Sequence, residues 1–207
     1  MKIDQVTTAG IFSLDGKDYE VENNVWLVGD DERVVLVDAP HDAEAIVTAI
    51  GGRQLDGIVC THGHNDHINA AVDVAQATGA PIALHPADRM LWDVVHPGRR
   101  PEIELSHGDV LHMGGVQLQI WHTPGHSPGG VCLHLAESEV IFTGDTLFKG
   151  GPGATGRSHS HFPTIIESLR RLLMYIPPPT VVHTGHGDST TVGDESPHID
   201  DWVRRGH

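Results

Sequence analysis

The chain has 207 residues, 28 acidic side chains against 13 Lys and Arg, and 17 histidines, which gives a formal net charge of −15 with the histidines neutral. A strongly acidic surface repels nucleic-acid phosphates and anionic lipid headgroups, so we expect no nucleic acid and no membrane among the partners. At this length an apolar fraction of 39% is enough for one sizeable core, which predicts one domain over residues 1–207. The sequence contains no run of roughly 18 apolar residues, the length that a transmembrane helix needs.

The first half of the chain alternates predicted strands and helices. Apolar runs at residues 25–28 and 34–37 flank a polar turn, a pattern typical of a β-hairpin. Further along, the pattern predicts a helix over 42–50, a strand over 57–60, a helix over 68–78, a strand over 82–85 and a helix over 87–95. This alternation indicates an α/β fold.

The second half is richer in strands. Apolar residues alternate with glutamines at 116–120, and the runs 131–135 and 140–143 flank a short turn, which predicts one half-buried strand and one hairpin. A Gly-rich loop over 149–161 precedes an amphipathic helix that ends at Pro177, and a last strand covers 180–183. These pieces fit two facing sheets with helices outside.

The chemistry of the chain begins where a predicted buried strand ends, at Thr61-His62-Gly63-His64-Asn65-Asp66-His67. Side chains at positions i and i+2 of an extended segment point the same way, so His62 and His64 can bind one metal ion. Asp66 and His67 then face a second position. Imidazole nitrogen and carboxylate oxygen suit zinc, iron or manganese.

Three more residues of metal-binding type stand beside glycine at predicted strand ends: His126, Asp145 and His186. Each of them alone is more typical of a turn. Together the chain reads H-x-H-x-D-H followed by His, Asp and His, and in this it resembles the metallo-β-lactamase-fold hydrolases over almost its whole length.

The resemblance implies a four-layer αββα sandwich with a metal groove at one edge of the sheets. It also implies two divalent metal ions, with zinc as the first expectation and iron or manganese as alternatives. Carried over by position, the implied ligands are His62, His64 and His126 for one ion, Asp66, His67 and His186 for the other, and Asp145 bridging them.

A carboxylate at Asp145 with Gly156-Arg157 following resembles the glyoxalase II-like (hydroxyacylglutathione hydrolase-like) branch. Larger members of that branch carry a C-terminal helical domain that grips glutathione, whereas this chain ends 21 residues after His186 (207 − 186). We therefore expect a short thioesterase that hydrolyses acyl esters of a low-molecular-weight thiol other than glutathione through a metal-bridging hydroxide.

Other residues receive roles in this interpretation. Asp66 is the expected catalytic residue, which orients the hydroxide and moves a proton. Asp38, at a predicted strand end, is an expected hydrogen-bond acceptor for a ligand histidine, with a turn or helix cap as the equal alternative. Thr61 is interpreted first as a strand residue, with a hydroxyl that supports the ligands as the alternative. Lys149 and Arg157, on the Gly-rich loop, are candidate contacts for an anionic or polar substrate tail.

Two alternatives stay open at this level. Sulfur dioxygenases resemble this scaffold and hold one iron through positions matching His62, His126 and Asp145, and lactonases or β-lactamases also resemble it. The partner in each case is a small-molecule substrate. Only two cysteines occur, Cys60 and Cys132, each in an apolar run, which favours buried reduced thiols and a cytoplasmic location.

Overall fold

Two six-stranded β-sheets form the centre of the molecule, which a computed structural model describes over residues 1–206. The first sheet has the order β1 (Lys2–Leu14), β2 (Lys17–Gly29), β3 (Arg33–Val37), β4 (Gln54–Val59), β5 (Ile82–Leu84) and β6 (Ile103–Glu104). The other strands are β7 (Val110–Met113), β8 (Val116–His122), β9 (Val131–Leu135), β10 (Val140–Gly144), β11 (Leu147–Phe148), β12 (Gly151–Pro152), β13 (Val181–Thr184) and β14 (Thr190–Thr191). Strands β11 and β12 pair with each other, and the rest form the second sheet in the order β14-β13-β10-β9-β8-β7.

The structure has seven α-helices within residues 1–206. They are α1 (Ala43–Ile50), α2 (Asn65–Ile68), α3 (Ala71–Thr78), α4 (Arg89–Val95), α5 (Phe162–Tyr175), α6 (Val192–Glu195) and α7 (Ile199–Arg205). Ile46 and Val74, from α1 and α3, pack in one core with the outer face of the first sheet, and Leu169 and Trp202, from α5 and α7, pack against the second. The predicted αββα layering is therefore confirmed.

A third core fills the space between the sheets, and it explains the continuous apolar runs. In β2, Val25 and Leu27 belong to the helix-facing core while Trp26 and Val28 belong to the inter-sheet core. A strand buried on both faces needs apolar side chains at every position rather than at alternate ones. Phe142 of β10 closes the inter-sheet core from the opposite sheet.

Most predicted elements are present in the structure, but β1, β6, β7, β14, α6 and α7 were not predicted, and two predicted segments differ in detail. Strand β1 was not predicted, because its side chains are mostly exposed or half-buried and give no apolar run. The predicted helix over 68–78 is interrupted: α2 ends at Ile68, and the chain turns where Ala70 donates its N–H to the Ala39 carbonyl (3.0 Å). The predicted loop over 149–161 contains β12.

The functional loops follow the ends of strands that run parallel to one another. Strands β3 and β4 are parallel in the first sheet, and β10 and β13 are parallel in the second. Asp38, the segment 61–67, Asp145 and His186 come just after these four strands, so the fold gathers them at one edge.

Two further features are the state of the cysteines and the lengths of the apolar helices. Both cysteines are buried and unpaired with each other, as the sequence predicts. Within residues 1–206, no helix is long and apolar enough to cross a membrane.

Candidate metal centre

Three histidines converge through one ring nitrogen each. The Nδ1 atom of His64 lies 3.0 Å from Nε2 of His62 and 3.0 Å from Nε2 of His126. Gly63 allows the loop between His62 and His64 to pack against α4, because a Cβ atom there would lie 3.0 Å from the Asp88 Cβ and 2.9 Å from the Leu91 Cβ. The three nitrogens form one group able to hold a metal ion.

A second group of ligand atoms lies beside the first. The Nε2 atoms of His67 and His186 are 3.2 Å apart, and His186 Nε2 is 3.3 Å from Oδ2 of Asp66. The short helix α2 carries Asp66 and His67 on adjacent positions, both buried. These three side chains form another group with metal-binding geometry.

Asp145 lies between the two groups. Its Oδ1 is 3.3 Å from His67 Nε2, and its Oδ2 is 3.4 Å from His126 Nε2 and 3.5 Å from His186 Nε2. One carboxylate thus reaches ligand nitrogens of both groups. The structure brings together all seven side chains that the resemblance implied as ligands; which ion each one binds stays a prediction.

The hydrogen bonds of the remote ring nitrogens test whether these residues fit a metal. Four of the histidines hold the remote Nδ1 against an oxygen, which leaves Nε2 free to face the centre. These pairs are His62 with Thr61 Oγ1 (3.1 Å), His67 with Asp38 Oδ2 (2.8 Å), His126 with the Ala154 carbonyl (2.8 Å) and His186 with the Glu22 carbonyl (2.6 Å). Asp66 Oδ1 and Asp145 Oδ1 are buried without hydrogen-bond partners. Imidazole lone pairs and unpaired carboxylate oxygens in one place fit a divalent cation.

Without an ion, the centre separates its titratable groups into two kinds. Burial lowers the pKa of His64 to about 3, so its imidazole stays neutral. Burial opposes charge on His186 as well, but Asp145 and Asp66 outweigh it and raise the pKa to about 10. Asp66 stays ionised, because the charge of His67 and hydrogen bonds from His186 and Asn23 overcome its burial and lower its pKa to about 2. The ion-free site therefore holds protons where a cation would place positive charge.

Asp38 connects three parts of the ligand loop, as one of its two predicted roles requires. It is 2% exposed and has a left-handed backbone, with φ of 59°. Its carboxylate accepts hydrogen bonds from the Thr61 N–H (2.7 Å) and hydroxyl (2.8 Å) as well as from His67. Thr61 consequently does more than fill a strand position, because its hydroxyl links Asp38 to the ring of His62.

Sequence reasoning missed Asn23, which is fully buried at the centre. Its Nδ2 lies 3.1 Å from Asp66 Oδ2 and 3.3 Å from Nε2 of both His67 and His186. Its Oδ1 contacts His41 Nε2 at 2.9 Å. The only signal in the sequence is a pair of polar residues, 23–24, directly before the apolar run of β2.

Asp88 was also missed, and it joins the two loops that carry the first three histidines. It is fully buried, and it accepts hydrogen bonds from the Gly63 N–H (2.8 Å), the Ser127 hydroxyl (2.7 Å) and the Gly129 N–H (2.5 Å). Burial raises the pKa of Asp88, although these hydrogen bonds oppose the shift. Nothing in the local sequence around Asp88 indicates this role.

The two candidate substrate contacts lie in different places. Arg157 lines a cavity of about 230 Å³ that opens onto the ligand side chains. Lys149 instead pairs with Asp188 on the surface, with 3.0 Å between Nζ and Oδ2. The structure therefore places Arg157 at the cavity and Lys149 in a surface ion pair, and the substrate contact stays a prediction for Arg157.

Comparison with known proteins identifies the class. The model of the metallo-β-lactamase superfamily matches residues 18–186. The chain belongs to this superfamily, whose members are mostly metal-dependent hydrolases, and the His and Asp clusters described above fit a metal site of that kind.

Individual relatives differ in what their names say. The chain is 31% identical to hydroxyacylglutathione hydrolase GloC of Haemophilus influenzae over 190 residues, which cover 84% of this chain and 90% of the relative. It is similar to the di-iron-bound structure of TTHA1623, with 33% identity, a TM-score of 0.76 and coverage of 85% and 93% of the two chains. It is also similar to ETHE1 from Myxococcus xanthus, with 25% identity, a TM-score of 0.75 and coverage of 96% and 83%.

Proposed function

We propose that this protein is a dinuclear metal-dependent hydrolase that cleaves acyl thioesters of a low-molecular-weight thiol. The observation that carries the proposal is the position of Asp145, whose two oxygens lie within 3.5 Å of ligand nitrogens from both histidine groups. A carboxylate in this position can bridge two ions, whereas a site for a single ion needs only one of the two groups of ligand side chains.

The reaction adds water to the thioester carbonyl and breaks the C–S bond, releasing a carboxylic acid and a thiol. Two divalent ions held by the seven ligands would supply Lewis acidity and a hydroxide at neutral pH. Asp38, Asn23 and Asp88 hold the ligand side chains and their loops in place through the hydrogen bonds described above. The reaction needs no serine or cysteine nucleophile.

Asp66 is the proposed proton acceptor. Its Oδ2 is fixed by Asn23 (3.1 Å) and by His186 (3.3 Å), while its Oδ1 has no partner. The residue lines the cavity that opens onto the ligand side chains. Oδ1 can therefore orient the attacking hydroxide, take its proton after the addition and deliver that proton to the departing thiolate.

The similarity to GloC changes the expectation about glutathione. The expectation from the sequence is a thiol other than glutathione. Yet the chain covers 90% of a relative that carries the name hydroxyacylglutathione hydrolase. Glutathione thioesters therefore belong among the substrates to be tested beside those of smaller thiols.

The test is a substrate panel with protein dialysed against Zn²⁺, Mn²⁺ or Fe²⁺. We expect hydrolysis of glutathione or N-acetylcysteine thioesters, and a loss of at least about 100-fold in kcat for Asp66→Asn, since a positioned proton acceptor contributes roughly 10²–10⁴-fold. Asp73→Asn, on the exposed side of α3, is the matched control and should keep full activity.

Hydrolysis of lactones or β-lactams with no thioester cleavage would contradict the thioesterase assignment. Oxygen uptake with a persulfide substrate and one iron per chain would instead establish the dioxygenase alternative. That alternative is supported by the proximity of His62, His126 and Asp145.

A further inference from the structure

The cavity above the metal centre has two unlike walls. One wall consists of ligand side chains: His64, Asp66, His126, Asp145 and His186. The other is mostly apolar, with Phe12, Leu14, Val21 and Phe148, and it includes the cation of Arg157. At about 230 Å³ the cavity is smaller than the roughly 300–1,000 Å³ that takes drug-sized ligands, so it fits a short organic group.

Aromatic rings hold Arg157 in this wall. Its guanidinium carbon lies 4.4 Å from the ring centroid of Tyr19 and 5.3 Å from that of Phe12. These two rings face each other across the β1–β2 hairpin, 6.0 Å apart at 28°, and Phe12 also lies 5.3 Å from the ring of His64. Cation–π contacts fix the guanidinium plane without using its N–H donors.

The donors of Arg157 remain available for a ligand. Within residues 1–206 its guanidinium has no carboxylate within ion-pair distance, whereas Arg33, Arg53 and Arg170 each pair with an aspartate at 2.7–2.8 Å. Asp15 interacts with the charge of Arg157 at longer range, and its carboxylate accepts a hydrogen bond from the Ser158 N–H (3.1 Å). Arg157 is exposed, so these donors are accessible to a ligand that enters the cavity.

We propose that Arg157 binds a carboxylate of the substrate while the scissile carbonyl lies at the metal centre. The inference rests on the proposed hydrolase function and names its substrate class: short thioesters that carry a carboxylate separated from the carbonyl by an apolar spacer. A guanidinium donates two parallel hydrogen bonds to a carboxylate, and the apolar wall contacts the spacer. Tyr19 is a positioning residue, which acts only by holding the guanidinium.

The test compares thioesters that differ at one group, a terminal carboxylate or its primary amide. We expect Arg157→Gln to lower kcat/KM for the carboxylate 10–100-fold, mainly through KM, and to change the amide less than twofold. Arg157→Lys should fall between, because lysine keeps the charge but not the paired donors. Arg170→Gln, on α5, is the matched control and should leave both substrates unchanged. Equal losses on both substrates would overturn the proposal.

The positioning role of Tyr19 has its own readout. Tyr19→Leu should raise KM for the carboxylate substrate only, and Tyr19→Phe should restore it, since phenylalanine keeps the ring. An unchanged KM in Tyr19→Leu, or a fall in kcat on both substrates, would contradict a positioning role.

Two arms of the experiment separate the possible sources of the carboxylate. One series carries it on the acyl chain, as in succinyl thioesters, and the other on the thiol, as in N-acetylcysteine compared with its amide. The series that loses activity in Arg157→Gln identifies the source, and no loss in either overturns the inference.

A binding measurement keeps this inference distinct from the proposed function. Succinate and succinamate each offer one carboxylate to the metal centre, but only succinate has a second for Arg157. In calorimetry, the wild-type protein should bind succinate at least fivefold more tightly than succinamate. Arg157→Gln should bind the two ligands with equal affinity. If that difference appears without thioester hydrolysis, the anion site stands and the thioesterase assignment fails. If thioesters are hydrolysed but the affinity difference is absent, the thioesterase assignment stands and the anion site at Arg157 fails.

Discussion

At the scale of single residues, Asp38 does most to orient the ligand loop. It accepts hydrogen bonds from two groups of Thr61 and from the remote nitrogen of His67. Replacing an acceptor that orients a ligand histidine lowers metal affinity roughly 10–100-fold, and we expect a loss of that size for Asp38→Asn, measured by chelator competition. Asp42→Asn is the control, because Asp42 caps α1 and asparagine caps equally well. Wild-type affinity in Asp38→Asn would show that the contact is dispensable.

His183 gives the protein an acid-sensitive position away from the ligands. Its ring lies 4.2 Å from that of Trp26 and 5.3 Å from that of Phe142, and burial lowers its pKa to about 4. The unfolded chain, with a pKa near 6.5, binds this proton more readily, so the folded state loses stability as the pH falls from about 6.5 to 4. The free energy of unfolding should therefore fall less over this range in His183→Gln than in wild type.

Denaturant unfolding at several pH values measures this difference. His198→Gln is the control, since the side chain of His198 is 57% exposed, and it should follow the wild-type pH dependence. The same dependence in His183→Gln and wild type would contradict the assigned cause.

At the scale of elements, the turn after β13 brings the two sheets together at the centre. Gly185 donates its N–H to the Gly144 carbonyl (2.9 Å) and accepts from the Asn24 N–H (2.8 Å). A Cβ atom at Gly185 would collide with the Asp145 carboxylate and lie 2.7 Å from Cε1 of His67. We expect Gly185→Ala to reduce bound metal at least about tenfold, since ligand geometry is held by such close packing.

Elemental analysis after dialysis checks this expectation, with circular dichroism to verify folding. Gly98→Ala is the matched control, because a Cβ atom there meets no heavy atom within 4 Å. Full metal content in Gly185→Ala would mean that the turn relaxes without moving the ligands.

The elements that the sequence predicts well are those buried on a consistent face. The β2–β3 hairpin, α1 with its Asp42 cap, and α5 with its apolar stripe each carry a local signal. Strand β1 does not, since its stability comes from pairing with β2 rather than from its own side chains. The break after Ile68 depends on contacts with residues 39–41, which no local pattern contains.

The same distinction applies to the site. The ligands stand in one family-typical order, so spacing along the chain predicts them. Asn23 and Asp88 act through side-chain contacts with residues at least 18 positions away in sequence, and only the folded structure brings these together. The parts of the site that support the ligands are therefore harder to predict than the ligands themselves.

At the scale of the whole molecule, a net charge of −15 surrounds a centre built to hold cations. The acidic surface disfavours polyanions at long range, and nucleic acid and membrane surfaces remain unexpected partners. A small anionic substrate must overcome the same field, and the cation of Arg157, which lines the cavity, offsets it locally.

The central claim is a two-ion centre bridged by Asp145, and metal stoichiometry tests it most directly. Elemental analysis of protein dialysed against Zn²⁺, Mn²⁺ or Fe²⁺ should give two ions per chain in wild type and one or fewer in Asp145→Ala. Thioester hydrolysis should fall in parallel with the second ion. A wild-type protein that holds one ion at saturation and still hydrolyses thioesters would contradict the account.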